Sequence, residues 1–180
     1  MSTVAREDAI QGDGPLRPRR GLVLIHTGTG KGKTTAAIGL LVRAWGQGQR
    51  LCMIQFIKGN NDRLGELQAA RALGLEWHQF GDGFTRRSHD IDATATRNLA
   101  GWRLAQEKIV SGEYDMIVLD EFTYLLKYGW LDAHDVVRWL TEHKPHGLHL
   151  VITGRDAPPA LLQYADLVTD MAKVKHHHDA

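Results

Sequence analysis

The chain has 180 residues, enough for a domain with a real hydrophobic core, and 43% of them are hydrophobic. Its 22 Lys and Arg against 21 Asp and Glu leave a formal net charge of +1, which argues against a dedicated nucleic-acid binder. A single cysteine, Cys52, excludes an internal disulfide, and no apolar run has the length of a membrane span. Residues 1–20 are polar, with Gly12, Gly14, Pro15 and Pro18, and read as a flexible arm ahead of a domain at 21–180. Arg17, Arg19 and Arg20 cluster at its end, either in a solvated tail or in an arm that folds over a bound anion. The arm lacks the apolar centre of a secretory signal, so the expectation is a cytoplasmic protein.

From Gly21 onward strands and helices alternate. "LVLIH" (22–26) predicts a strand buried on both faces, and "KTTAAIGLLVRAW" (33–45) a buried helix with Gly46 and Gly48 as stop signals. "RLCMIQFI" (50–57) is the next strand, with Cys52 as a small buried hydrophobe. A helix follows at 64–74, a strand at 75–80 and a long amphipathic helix at 92–112. "YDMIVLDE" (114–121) is a strand, 132–144 a helix halted before Pro145, and 148–154 a strand. A short helix at 157–165 and a strand at 166–171 close the chain. The pattern predicts an α/β fold, a mostly parallel sheet with helices on both faces; joined to the glycine-rich Lys-Thr loop at residues 27–35, it reads as a P-loop NTPase (RecA-like) architecture.

The chemistry begins at "TGTGKGKTT", residues 27–35, between the first strand and its helix. Glycines let backbone N–H groups converge on one anion, and the helix adds its positive end. Gly28, Thr29, Gly30, Lys31, Gly32, Lys33, Thr34 and Thr35 are therefore the expected ATP-binding residues, with Lys33 on phosphate oxygens and Thr34 on Mg²⁺ (or Mn²⁺). The usual template asks for glycine at position 27, where this chain has Thr27; its glycine comes one residue later. The second half of the signature is "MIVLDE", which ends at the carboxyl edge of its strand, where open α/β sheets bind ligands. Asp120 is expected to hold the metal. Glu121 would orient water in a hydrolase, or touch the metal or the acceptor in a transferase.

"HTGTGKGKTTAAIGLLVRAWGQG", "IQFIKG", "GFT", "MIVLDEFTY", "VITGR", "ADLVTDM" and "VKH" occur in this order. Together they resemble the P-loop-type corrinoid adenosyltransferases over residues 21–176. The displaced glycine at Thr27 is usual in that family. The resemblance implies that a Co(I) corrinoid attacks C5′ of ATP and that inorganic triphosphate leaves. The family is reversed in its hold on triphosphate relative to ordinary P-loop enzymes. The resemblance further implies a divalent metal, a reduced flavoprotein as electron donor and a homodimer, in adenosylcobalamin biosynthesis or salvage; the charge balance and the lack of a span-length apolar run add the expectation of neither nucleic acid nor membrane as partner.

The same resemblance suggests roles for single residues. Lys33, Glu121 and Phe84 match catalytic positions, Glu121 matching also a metal position beside Thr34 and Asp120. Phe84, Arg86, Glu121 and Arg155 match positions near the corrinoid. Phe84 would displace the lower axial ligand of Co(II) with apolar atoms, easing its reduction. A Trp is usual where this chain has Arg86, a departure that raises the hypothesis of a corrinoid without a lower-ligand base. Arg43 matches a family arginine near phosphate, and equally reads as a surface helix residue. Gln55 and Lys58 lie at a strand's carboxyl edge; Lys58 reads evenly as a phosphate contact or a solvated loop lysine. His176, His177 and His178 are adjacent, and adjacent side chains in extended chain diverge, so a metal site is not expected there. Two other readings stand beside the transferase: a P-loop ATPase or kinase cleaving the γ-phosphate, and a non-catalytic nucleotide switch.

Overall fold

The computed structural model describes residues 20–59, 65–81 and 91–176. Phe84, Arg86, His177, His178 and all of the arm except Arg20 lie outside the described residues. The elements in chain order are β1 (Val23–Thr27), α1 (Lys33–Gly46), β2 (Leu51–Gly59), α2 (Gly65–Ala72), β3 (Glu76–Gly81) and α3 (Ile91–Val110). They are followed by β4 (Met116–Asp120), α4 (Thr123–Lys127), α5 (Ala133–His143), β5 (His149–Thr153), α6 (Pro159–Tyr164) and β6 (Leu167–Asp170). Only α4 escaped the sequence reading. Its five residues are too few for a helical period to show, and they follow directly on an apolar strand.

The strands form one sheet in the order β3-β2-β4-β5-β1-β6, and every pairing among them is parallel. The sheet is thus wholly parallel where a mostly parallel one was expected. Both faces are covered, which is why the central strands are apolar at consecutive positions. Met53, Val118 and Val151 meet Ala37, Leu41 and Ala44 of α1 on one face. Cys52, Ile54, Phe56, Ile117, Leu119, Leu150 and Ile152 point the other way, to Trp102, Ala105 and Ile109 of α3, Leu125 of α4 and Leu140 of α5. Cys52 is fully buried and burial pushes its thiol up to about 12, as expected of a small core hydrophobe.

Two local arrangements anchor the frame. Phe122, fully buried, packs its ring against Phe56 at 5.4 Å and Trp102 at 5.1 Å between ring centroids. It fixes the turn after β4 and with it the neighbouring Glu121. At the other end of the sheet, Glu76 on β3 takes donors from Lys108 Nζ and His78 Nε2 at 2.7 Å and from Tyr114 OH at 2.6 Å. The ligand atoms of Cys52, Glu76 and His78 lie within 4.8 Å of one another. Glu76's oxygens are already engaged and the Lys108 ammonium sits among them, so this cluster ties β3 to α3 rather than holding a cation.

No helix among the described residues is long and apolar enough to cross a membrane. Because the strands are parallel, all their carboxyl ends open on one edge of the sheet, and the chemistry-bearing residues collect there.

Candidate active site

The loop from Gly28 to Gly32 leaves β1 and enters α1. β1 runs as strand through Thr27, which pairs in register with Asp170 of β6. The backbone turns into the left-handed region only at Gly28, with φ of 95°. A Cβ there would lie 2.0 Å from Asp170 Oδ1 and 2.7 Å from Met171 N. The glycine is therefore needed at 28, and Thr27 is free to carry a side chain, whose Oγ1 accepts from Ala157 N at 3.3 Å. The residue displaced from the usual template is explained by where the strand ends. Beyond β6, Met171 braces the loop: its N–H donates to Thr27 O at 2.9 Å and its carbonyl accepts from Gly30 N at 2.6 Å.

Gly32, with φ of 106°, precedes α1 and offers no side-chain cap to its first turn. The uncapped N–H groups and the helix dipole together favour an anion. Lys33 is buried, and its ammonium donates to Gly28 O at 2.8 Å and Gly30 O at 2.7 Å, so the loop closes around its own lysine. Burial, and then the positive charge of Arg155, lower its pKa from the ordinary lysine value.

Asp120 is fully buried at the end of β4. Its Oδ1 accepts from Thr153 Oγ1 at 2.6 Å, and its Oδ2 from Gln55 Nε2 at 2.9 Å and Lys58 Nζ at 3.3 Å. Gln55 is held in turn by Gln79 Nε2 at 2.8 Å. The alternation of parallel strands explains this meeting: Gln55, Asp120 and Thr153 continue the α1-facing series of Met53, Val118 and Val151. Glu121 breaks the strand at φ 59°, and its N–H donates to Thr153 Oγ1 at 2.9 Å. Its Oε2 is buried without a hydrogen-bond partner. Burial first, and then the neighbouring Asp120 charge, raise its pKa, against the pull of Lys58, Lys33 and Arg155.

A cavity of about 450 Å³ opens here, lined by Gly30 to Thr35, Ile38, Lys58, Glu66, Glu121, Tyr124 and Arg155. Among the candidates named from sequence, Lys31, Lys33, Thr34, Thr35, Glu121 and Arg155 share this cavity, and Asp120 sits immediately beneath it through Lys58. Gly28 shapes the loop below, where its carbonyl receives Lys33, and Thr29 is exposed on the loop's outside. Arg43 is not brought to the cavity. It is exposed in the last turn of α1, ten residues from Lys33, a separation of ~15 Å along a helix. His176 is half-buried near the end of the described chain and outside this cavity.

Sequence reasoning missed Thr153, Tyr124 and Glu66. Thr153 carried a signal: a polar residue closing the apolar run "LHLVIT", in the same position on β5 as Asp120 on β4. Tyr124 stood at the end of the quoted "MIVLDEFTY" without being singled out, and Glu66 had no signal, since only the folded chain brings α2 to the loop.

A family model described as ATP:corrinoid adenosyltransferase BtuR/CobO/CobP matches residues 19–180. A corrinoid adenosyltransferase of Escherichia coli (strain K12) is 38% identical over 163 residues, covering 89% of this chain and 81% of that protein. Corrinoid adenosyltransferase CobA of Salmonella typhimurium is 36% identical over 161 residues, covering 89% and 81%. Among solved structures, the cytoplasmic domain of EssC superimposes with a TM-score of 0.53 at 15% identity, covering 88% of this chain and 32% of that one, a likeness of fold alone.

Proposed function

The chain belongs to the ATP:corrinoid adenosyltransferase family, and from that membership we propose how its residues divide the work. The reaction joins the adenosyl group of ATP to a corrinoid. The electron pair of Co(I) forms the new bond to C5′, the C5′–O bond breaks, and its pair departs with inorganic triphosphate. The protein supplies no nucleophile; its task is to hold ATP so that C5′ faces the cobalt and to stabilise the leaving group.

The observation that carries this reading is the charge of the cavity. Four cations, Lys31, Lys33, Lys58 and Arg155, face two carboxylates, Glu66 and Glu121, beside an uncapped helix N-terminus. Such a site suits a polyanion that gains charge as the bond breaks. The N–H groups of residues 28–35 bind triphosphate, and Lys33 exchanges its carbonyl partners Gly28 and Gly30 for phosphate oxygen. Thr34, Asp120 and Glu121 would hold Mg²⁺ or Mn²⁺: they are hard oxygen donors, and Glu121 Oε2 has no hydrogen bond to give up. The ion would neutralise part of the charge on the departing triphosphate.

Arg155, held by the bond from Thr123 Oγ1 to its carbonyl at 2.7 Å, is the candidate contact for corrinoid amide or carboxylate groups. Phe84 closes the lower face of the corrin and Arg86 adjusts that face to the substrate, roles that rest on the family resemblance. Equal kinetics for cobalamin and cobinamide would remove the proposed part of Arg86 in substrate choice. A reduced flavoprotein donor, a homodimer and a cytoplasmic setting belong to the same proposal.

The test is spectroscopic. The protein is mixed without oxygen with ATP, Mg²⁺ and Co(I) cobalamin or cobinamide, the loss of the Co(I) band is followed, and triphosphate is assayed. Stoichiometric alkylation with triphosphate is expected. Release of phosphate without alkylation would return the chain to γ-phosphate chemistry.

A further inference from the structure

Strand β2 does not end regularly. Its register against β3 shifts between Phe56 and Gly59, and Ile57 has φ of 65°, an outlying value for a β-branched residue. In a regular strand Ile57 would share a face with Met53 and Gln55, and Lys58 would enter the core behind Phe56. The irregularity instead puts Phe56 and Ile57 together on the α3 side and delivers Lys58 to the phosphate loop. It is held from α3: Ile57 N donates to Asn98 Oδ1 at 2.9 Å, and Asn98 Nδ2 donates to Thr94 O at 2.8 Å, with Asn98 fully buried. β3 makes room with Gly81, where a Cβ would come within 2.2 Å of the Ile57 carbonyl carbon.

The side chain so delivered stands among oxygens. Lys58 Nζ is 3.4 Å from Thr34 Oγ1, 3.3 Å from Asp120 Oδ2 and 3.6 Å from Glu66 Oε1. Thr34 and Asp120 are two of the three residues assigned above to the divalent ion. We propose that Lys58 is the resident counter-cation of this site, occupying the place between Thr34 and Asp120 until the divalent ion displaces it, and that Asn98 is the positioning residue that aims it. A fully buried carboxylate needs a positive partner, and the ammonium supplies one before nucleotide arrives. The ion and the ammonium compete for the same oxygens, so the ion enters tightly only with ATP, whose phosphates add ligands and receive the freed Lys58. This inference rests on the metal assignment under the proposed function.

The experiment measures Mn²⁺ binding to the full chain without nucleotide, from the electron paramagnetic resonance signal of free aqueous Mn²⁺. Lys58→Met should bind Mn²⁺ at least about tenfold tighter than the unmutated chain, a shift of about 1.4 kcal/mol. Lys31→Met removes the same charge from another residue lining the cavity, and should change affinity less than about threefold. Asn98→Ala, if folded, should move affinity in the same direction as Lys58→Met; if it does not fold, the lysine pair decides. A Lys58→Met chain that binds Mn²⁺ no tighter than Lys31→Met overturns the proposal, as does absence of Mn²⁺ binding to every variant. MgATP binding to the same samples separates the two readings. Its absence from the unmutated chain sinks the metal and nucleotide assignment, whereas normal MgATP binding with no Lys58 effect sinks only the counter-cation.

Discussion

Gly154→Ala tests how tightly the turn after β5 supports the site. Gly154 has φ of 143°, and a Cβ there would lie 1.9 Å from Thr123 Oγ1, 3.0 Å from Thr123 Cβ and 3.2 Å from Thr123 N. The threonine cannot yield cheaply, because it is fully buried and its hydroxyl donates to Arg155 O at 2.7 Å. The unfavourable φ costs roughly 1 kcal/mol or more. The displaced hydrogen bond adds about 1 kcal/mol. Overpacking adds about 1–3 kcal/mol. The total of about 3–5 kcal/mol corresponds to a fall in Tm on the order of 10 °C for a chain of this size. Thermal denaturation followed by circular dichroism measures it. In a double-mutant cycle, Thr123→Ala should recover about 1–3 kcal/mol in the Gly154→Ala background while destabilising the unmutated chain. A Gly154→Ala protein melting within about 2 °C of the original, or a cycle with no coupling, would refute the steric reasoning.

Lys33→Ala should lower kcat/KM for ATP at least about 10²-fold, since it removes the charge proposed to stabilise the leaving group; near-normal turnover by a folded variant would contradict that role. Phe84→Ala should leave alkylation of chemically supplied Co(I) intact and slow the reaction begun from Co(II) on the order of tenfold or more, so equal losses in both assays would remove it from the reduction step. Glu76 bears on acid stability. Burial opposes its charge, but hydrogen bonds from Lys108, Tyr114 and His78 outweigh this and hold its carboxyl at about 2, below the ordinary 4.5. A depressed carboxylate stabilises the folded chain above the unfolded pKa, and that contribution is lost as pH falls through the folded one. Glu76→Gln should therefore be less stable in urea at pH 7, with the difference closing between about pH 4.5 and 2; a difference constant across that window would be against it.

Much of this protein was legible as a string. Parallel α/β architecture follows from apolar runs alternating with helical periods, because a strand buried on both faces leaves no polar alternation to read. The phosphate loop was legible because its chemistry is local: glycines, a lysine and a threonine in consecutive positions act on one anion. Asp120 and Glu121 were legible because a strand's carboxyl edge is marked by the end of its apolar run.

Tertiary structure decided the rest, wherever an interaction joins residues far apart in the chain. The ladder from Gln79 through Gln55 and Asp120 to Thr153 crosses four strands that only the sheet order makes neighbours. Lys58 read evenly in the sequence as a phosphate contact or a solvated loop lysine, and the fold places its ammonium beside Thr34 and Asp120. A buried asparagine 40 residues further on, Asn98, holds the backbone that turns it round. Arg43 read equally as a phosphate contact or a surface helix residue, and the fold leaves it exposed in the last turn of α1, outside the cavity lining. Even the missing glycine at Thr27 was a tertiary matter, set by where β6 stops pairing with β1. Motifs name residues that act on one point; the fold decides which distant side chains are brought to that point, because strand pairing and packing, not sequence spacing, set those distances.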